Sequence, residues 1–151
     1  MRDARTRGLP SVRFQRVVEE LPADFDTICV EARAEGYKFL DRLATDWASG
    51  AIRFDQPGEA LLAAYSDDVL AAIGGITIDP FVPDALRMRR FYVRPAFRRT
   101  GIGREIAHAL LERAFRTSRV VTLNAAVDNV PFWENLGFVP QVRDGHTHVH
   151  C

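Results

Sequence analysis

At 151 residues and 17.0 kDa, the chain is long enough for one domain that buries roughly 70% of the surface its unfolded form would expose. Its apolar share of 47% and charged share of 26% are ordinary for a soluble protein, and no apolar run approaches the ~18 residues of a membrane span. Twenty basic residues balance twenty acidic ones, so neither a nucleic-acid nor a membrane partner is expected.

Residues 1 to 9 are polar and Arg-rich and are expected to form a poorly ordered tail. The opening MRDARTRG has no apolar core after it, so no signal peptide is read. Cys29 and Cys151 have no metal-ligand spacing, which predicts a reducing, cytoplasmic setting and no metal site. Ser11 to Val18 alternates, with Val12, Phe14 and Arg16 on one side and Arg13, Gln15 and Val17 on the other, and reads as a first strand. Pro22 and Asp24 then open a helix that runs through Ile28, Ala32 and Glu35 to Gly36. Phe39, Leu40, Leu43 and Trp47 mark a second helix closed by Ser49-Gly50.

Arg53 to Glu59, with Pro57-Gly58, is a loop. Ala60 to Tyr65 and Val69 to Ile78 form a hairpin across Ser66-Asp67-Asp68. Gly74-Gly75 inside the second strand predicts a bulge or a close backbone approach. After a loop from Asp79 to Asp84, Arg87 to Val93 reads as the next strand, stopped by Pro95. Arg94 to Gly103 is a loop, and Ile102, Ile106, Leu110 and Ala114 recur every fourth residue as the stripe of an amphipathic helix. Arg119 to Val127 reads as a strand and Asn129 to Leu136 as a short helix closed by Gly137. Phe138 to Val142 and His146 to His150 should pair across Asp144-Gly145.

The passage from strand through turn to helix suits an anion. The first helical N–H groups lack intrahelical partners, and the helix dipole adds partial positive charge there. Glycine admits a phosphate to the backbone, and Arg98, Arg99 and Arg104 supply charge and forked donors. Seven of the twenty basic residues lie between Arg87 and Arg104, whereas Glu19, Glu20, Asp24, Asp26, Glu31 and Glu35 mark an acidic N-terminal region. A local basic cluster beside glycines in a neutral protein suggests a small polyanion. Neither a Walker loop nor a dinucleotide fingerprint fits: the first needs Gly-Lys-Ser/Thr, and the second needs glycine where Ile106 stands.

Val93-Arg94-Pro95 followed by Arg98-Arg99-Thr100-Gly101-Ile102-Gly103 resembles the acetyl-CoA signature of the GNAT N-acetyltransferases. Asn129-Val130-Pro131-Phe132-Trp133-Glu134-Asn135-Leu136-Gly137-Phe138 is similar to that family's second element, so the likeness covers roughly residues 60 to 140. It implies one GNAT-type α/β domain over residues 1–151: a mixed, mostly antiparallel twisted sheet with one parallel, splayed pair and helices on both faces. It implies acetyl-CoA as co-substrate, held by Phe91, Tyr92, Val93, Arg98, Arg99, Thr100, Gly101, Ile102, Gly103, Arg104, Asn129, Phe132 and Trp133. A backbone N–H near Val93 would face the thioester carbonyl. The first two helices would form a wall for an amine acceptor, a small molecule or a peptide, near Tyr37, Lys38, Phe39 and Asp41.

Two groups in the expected chemistry remain open at this stage. The family's helix carries a tyrosine that protonates the leaving thiolate; the matching residue is Trp133, whose indole cannot give up a proton. Water or Tyr92 would have to replace it, or the chain is a CoA-binding sensor or interaction module. For the amine proton, His148 is taken as the base, as the middle of three histidines on one face, with His146 and His150 expected to be more exposed. A solvated edge strand is the plainer reading of those histidines. Arg87, Arg89 and Arg90 would select an acidic acceptor if they face it, or else line the cofactor or the surface. Pairing with a second copy of the chain is left open.

Overall fold

The computed structural model describes residues 11–151, so the expected tail at residues 1 to 9 lies outside the described residues. Seven strands form one sheet in the order β1-β2-β3-β4-β5-β7-β6. They are β1 (Val12–Arg16), β2 (Ala60–Ser66), β3 (Val69–Ile78), β4 (Leu86–Val93), β5 (Val121–Leu123), β6 (Val139–Arg143) and β7 (His146–His150). Every neighbouring pair is antiparallel except β4 and β5, which run parallel. The α-helices are α1 (Phe25–Ala34), α2 (Phe39–Ser49), α3 (Ile102–Ala114) and α4 (Val130–Asn135).

The period-four stripe of α3 does what its spacing requires. Ile102, Ile106, Leu110 and Ala114 are buried against Ile76, Met88, Val121 and Leu123 on one face of the sheet, where Trp133 and Phe138 join them. On the opposite face, Ile28, Ala32, Leu40, Leu43 and Trp47 of α1 and α2 pack against Leu61, Ala63, Ile73 and Tyr92. Gly50 ends α2 in the left-handed region, as the Ser49-Gly50 pair predicts.

Two expectations need correction. The strand expected over Arg119 to Val127 is only Val121–Leu123, and Val127–Asn129 is a 3-10 turn. β5 lasts only while it is paired on both sides, with Leu86–Met88 of β4 and with His148–His150 of β7. β-Branched composition cannot hold a strand where no neighbour supplies hydrogen bonds. His146, expected to be exposed beside the turn, is 2% exposed and buried beneath Gln141, whose Oε1 lies 3.2 Å from its Nε2. The bulge expected at Gly74-Gly75 is present, with its extra residue on the facing strand. Ile73 pairs with Tyr92 and Gly75 with Arg89, leaving Arg90 and Phe91 opposite Gly74 alone.

The close approach at those glycines is real as well. A Cβ on Gly74 would lie 2.8 Å from the Phe91 ring, and one on Gly75 would lie 2.4 Å from the Phe54 ring. Arg90 takes φ +57°, the left-handed region that a side chain makes unfavourable by about 1–2 kcal/mol.

Candidate active site

The bulge at Arg90 and the end of β5 together open a gap in the sheet. β5 stops at Leu123, opposite Met88, while β4 continues five residues further to Val93. The N–H of Arg94 donates to Ala71 on the β3 side at 2.9 Å. By strand alternation, the Val93 N–H and C=O point the other way, into the gap, and those of Phe91 do likewise. This is an unpaired strand edge inside the protein, and the Nε of Arg98 donates to one of its acceptors, the Val93 carbonyl, at 3.1 Å.

The edge runs into the turn that starts α3. Gly101 is the N-cap, at φ +89°, without a side-chain cap and with nothing within 4 Å of where a Cβ would sit. The N–H groups of Ile102, Gly103 and Arg104 therefore begin the helix without intrahelical partners. Arg99 also takes positive φ, at +64°, and the Thr100 hydroxyl donates to the Phe97 carbonyl at 2.6 Å, tying the turn into a tight coil. A Cβ on Gly103 would approach Val93 Cγ2 to 3.0 Å and the Phe132 ring to 3.7 Å. Glycine here lets β4, α3 and α4 meet. Such a set of backbone donors under a helix N-terminus fits a pyrophosphate.

The arginines of this turn are not equivalent. Arg98 makes a forked pair with Glu35 at 2.7 and 2.6 Å, and Arg94 pairs with Glu31 twice at 2.9 Å. The acidic stretch of α1 thus neutralises two members of the basic cluster. Each carboxyl is held below its ordinary range, first by its arginine's hydrogen bonds, against the opposing effect of burial. Arg99 and Arg104 remain exposed and close to the free N–H groups.

Phe91, Phe132 and Trp133 form one aromatic group, with ring centroids 4.7 Å apart for Phe91–Trp133 and 4.9 Å for Phe132–Trp133. Trp133 is buried and also packs edge-on against Phe138. Asn129 stands exposed at the N-cap of α4. The backbone of Tyr92 faces β3, where it pairs with Ile73. Its side chain lies on the α1/α2 face and its hydroxyl donates to Glu35, and burial together with that contact raises its pKa. Tyr92, one of the two groups that could replace the family's tyrosine, is thus turned to the α1/α2 face and engaged by Glu35.

His148 has partners on both ring nitrogens: Nε2 lies 3.0 Å from Glu134 Oε2 and Nδ1 lies 2.8 Å from Thr147 Oγ1. With the proton on Nε2 donated to Glu134, Nδ1 accepts from the Thr147 hydroxyl. That hydroxyl also accepts from the Ala125 N–H at 2.9 Å, at the point where the chain leaves β5. Sequence reasoning missed Glu134, whose contact with His148 joins residues fourteen apart on different elements, and Thr147, which adjoins His148 but shows its place only through its contact with Ala125. His150 is turned to the Leu136 carbonyl at 3.0 Å. Among the described residues no group of three or more His, Cys, Asp or Glu side chains could hold a metal ion, and no helix is long and apolar enough to cross a membrane.

Arg87, Arg89 and Arg90 diverge. Arg87 lies 3.4 Å from Asp79, beside the Phe81 ring. Arg89 and Arg90 are turned to the α2 side, where Asp46 lies 3.6 Å from Arg90.

Residues 28–150 match the family model described as an acetyltransferase (GNAT) domain. No curated protein matches the sequence. Solved structures do. A protein assigned as an acetyltransferase, from Exiguobacterium sp. 255-15, is 25% identical with a TM-score of 0.84, and the match covers 92% of each chain. The PaiA N-acetyltransferase of Thermoplasma acidophilum, in complex with coenzyme A, is 18% identical with a TM-score of 0.64, over 92% of this chain and 96% of that one. Glucosamine-6-phosphate N-acetyltransferase from Arabidopsis thaliana is 16% identical with a TM-score of 0.61, over 88% and 95%.

Proposed function

This chain belongs to the GNAT acetyltransferase family, and from that premise we propose that it moves the acetyl group of acetyl-CoA to a primary amine by direct attack. The observation that carries the proposal is the unpaired edge of β4 at Phe91 and Val93, leading straight into the uncapped N-terminus of α3. An extended pantetheine arm would complete that edge as an added strand, which places the pyrophosphate on the N–H groups of Ile102, Gly103 and Arg104. Arg99 and Arg104 add charge there, and Thr100 holds the turn. The Val93 N–H, aimed into the gap, would meet the thioester oxygen; one preorganised donor of this kind is worth roughly 3 kcal/mol.

A primary amine with pKa near 10 must lose a proton to react. His148 would take it through the Thr147 hydroxyl, passing charge toward Glu134, so His148 acts at one remove from the acceptor. In balance, a C–N bond forms as the thioester C–S bond breaks, the amine proton leaves through Thr147 and His148, and water protonates the thiolate. Trp133 packs against Phe91 and fills space without proton chemistry.

A CoA-release assay over a panel of amines, run beside an acetyl-CoA titration, tests this reading. Release above the acceptor-free rate supports it. Tight binding with no release for any amine overturns transfer and favours the sensor reading, for which Trp133 in place of tyrosine is the specific observation.

A further inference from the structure

Consecutive residues of a strand point to opposite faces, and the bulge in β4 breaks that rule at one place. Met88 and Phe91 pack on the α3 face, whereas Arg89 and Arg90 between them are both turned to the α2 face. The left-handed φ of Arg90 is what brings this about. It turns both guanidinium groups to one face of the sheet where the β4–β5 gap begins, Arg90 lining the cleft beside α2 and Arg89 a separate one. Beside α2, Arg90 closes a cleft of about 410 Å³, within the roughly 300–1,000 Å³ of small-molecule sites.

The charges of this cleft do not balance. Arg33, Lys38, Arg42 and Arg90 line it against Asp41 and Asp46. Asp41 is fully engaged by Arg33, through a forked pair at 3.0 and 2.7 Å. Asp46 stands 3.6 Å from Arg90, longer than a good charged hydrogen bond. Arg90 keeps only 13% of its side chain exposed. Among the described residues, Lys38 and Arg42 have no carboxylate within ion-pair distance. Removed from water and with one loose counter-ion, Arg90 has donors left for another acceptor.

We infer that the cleft formed by Arg90, Arg42 and Lys38 binds an anionic group, a carboxylate or a phosphate, carried by the amine acceptor. The inference rests on the acetyl-transfer reading for the amine, but the anion site itself follows from the geometry alone. Burial, and then the neighbouring Arg89, push the Arg90 pKa down to about 10, so it remains charged at neutral pH while lacking compensation that an anion would supply.

The test compares acceptors that differ by one anion: phosphoethanolamine against ethanolamine, and β-alanine against its amide, each pair at equal concentration of neutral amine. The anionic member of at least one pair should show kcat/KM at least tenfold higher, and which pair responds tells phosphate from carboxylate. Arg90→Gln and, as an exposed and structurally mild second variant, Arg42→Gln should each remove most of that preference, with the KM for acetyl-CoA within about twofold. Equal use of neutral and anionic acceptors, or a preference that survives both variants, overturns the inference. If no amine releases CoA, the transfer reading fails, and a titration with inorganic phosphate in the presence of CoA decides the anion site. Binding weakened in both variants upholds it, and no binding to the wild type overturns it.

Discussion

The turn before α3 and the cleft beside α2 draw on the same run of arginines, yet they hold charge in opposite ways. At the turn, Arg94 and Arg98 are matched one to one by Glu31 and Glu35, so the proposed attraction for an anion would come from backbone N–H groups with Arg99 and Arg104 at the rim. At the cleft, Arg90 has among the described residues only Asp46, at 3.6 Å, and Lys38 and Arg42 stand beside it. A basic cluster in sequence therefore does not predict a basic surface. What decides is whether a carboxylate on another element reaches each arginine. The difference also predicts behaviour: the turn should bind largely by shape, the cleft by charge and with more dependence on salt.

The largest effect expected from a single change bears on neither region but on the proposed proton path through Thr147 and His148. His148→Ala should lower turnover by about 10²- to 10⁴-fold and move the acidic limb of the pH profile, with acetyl-CoA affinity unchanged. Thr147→Val should do nearly the same if the hydroxyl is the relay. Full activity in both variants, with an unmoved acidic limb, would assign the proton to water alone.

Next comes a direct attack on the shape of the turn. Gly103→Val forces a branched side chain against Val93 Cγ2, already 3.0 Å from the position of a Cβ, and should weaken acetyl-CoA binding more than tenfold, about 1.4 kcal/mol, as measured by titration of protein with native circular dichroism. Gly101→Ala is a less clean probe, because its φ of +89° adds backbone strain to any loss of binding. Unchanged affinity in a folded Gly103→Val protein would dissolve the contrast between turn and cleft.

The neutralised arginines give a smaller, pH-dependent signal. The carboxyls of Glu31 and Glu35 are held below their ordinary 4.5, so the stability they add is present above that pH and lost as pH falls through their lower folded-state values. Glu35→Gln should flatten the acid limb of the stability curve. At neutral pH it should remove no more than about 1 kcal/mol, because the pair is partly exposed. An unchanged acid limb in chemical denaturation would show that the pair is not formed in solution.

Trp133→Phe should leave turnover within a fewfold. It should cost about 1–3 kcal/mol of stability, since the indole packs against Phe91, Phe132 and Phe138 and its removal leaves a cavity. Collapse of activity with fold and cofactor affinity intact would give the indole N–H a chemical role.

The order of strands and helices was legible from the sequence because its signals are local. The fourfold recurrence from Ile102 to Ala114, the stop at Ser49-Gly50 and the Asp144-Gly145 turn each act within a few residues. Gly101 was legible for the same reason, since its φ of +89° is a local property that glycine permits, whereas the crowding of Gly103 by Val93 and Phe132 was not. The length of β5 was not legible, because a strand lasts only where its neighbours do. The bulge was legible at Gly74-Gly75 on β3, but not that the residue it displaces is Arg90 on β4. Charge was the least legible property. Arg98 meets Glu35, and His148 meets Glu134, across distances in sequence that no pattern spans. The sequence by itself determined the element order, the uncapped helix start and the chemistry available at each position. Only the tertiary structure decided which arginines have a carboxylate partner, because pairing and burial are properties of neighbours brought together by folding.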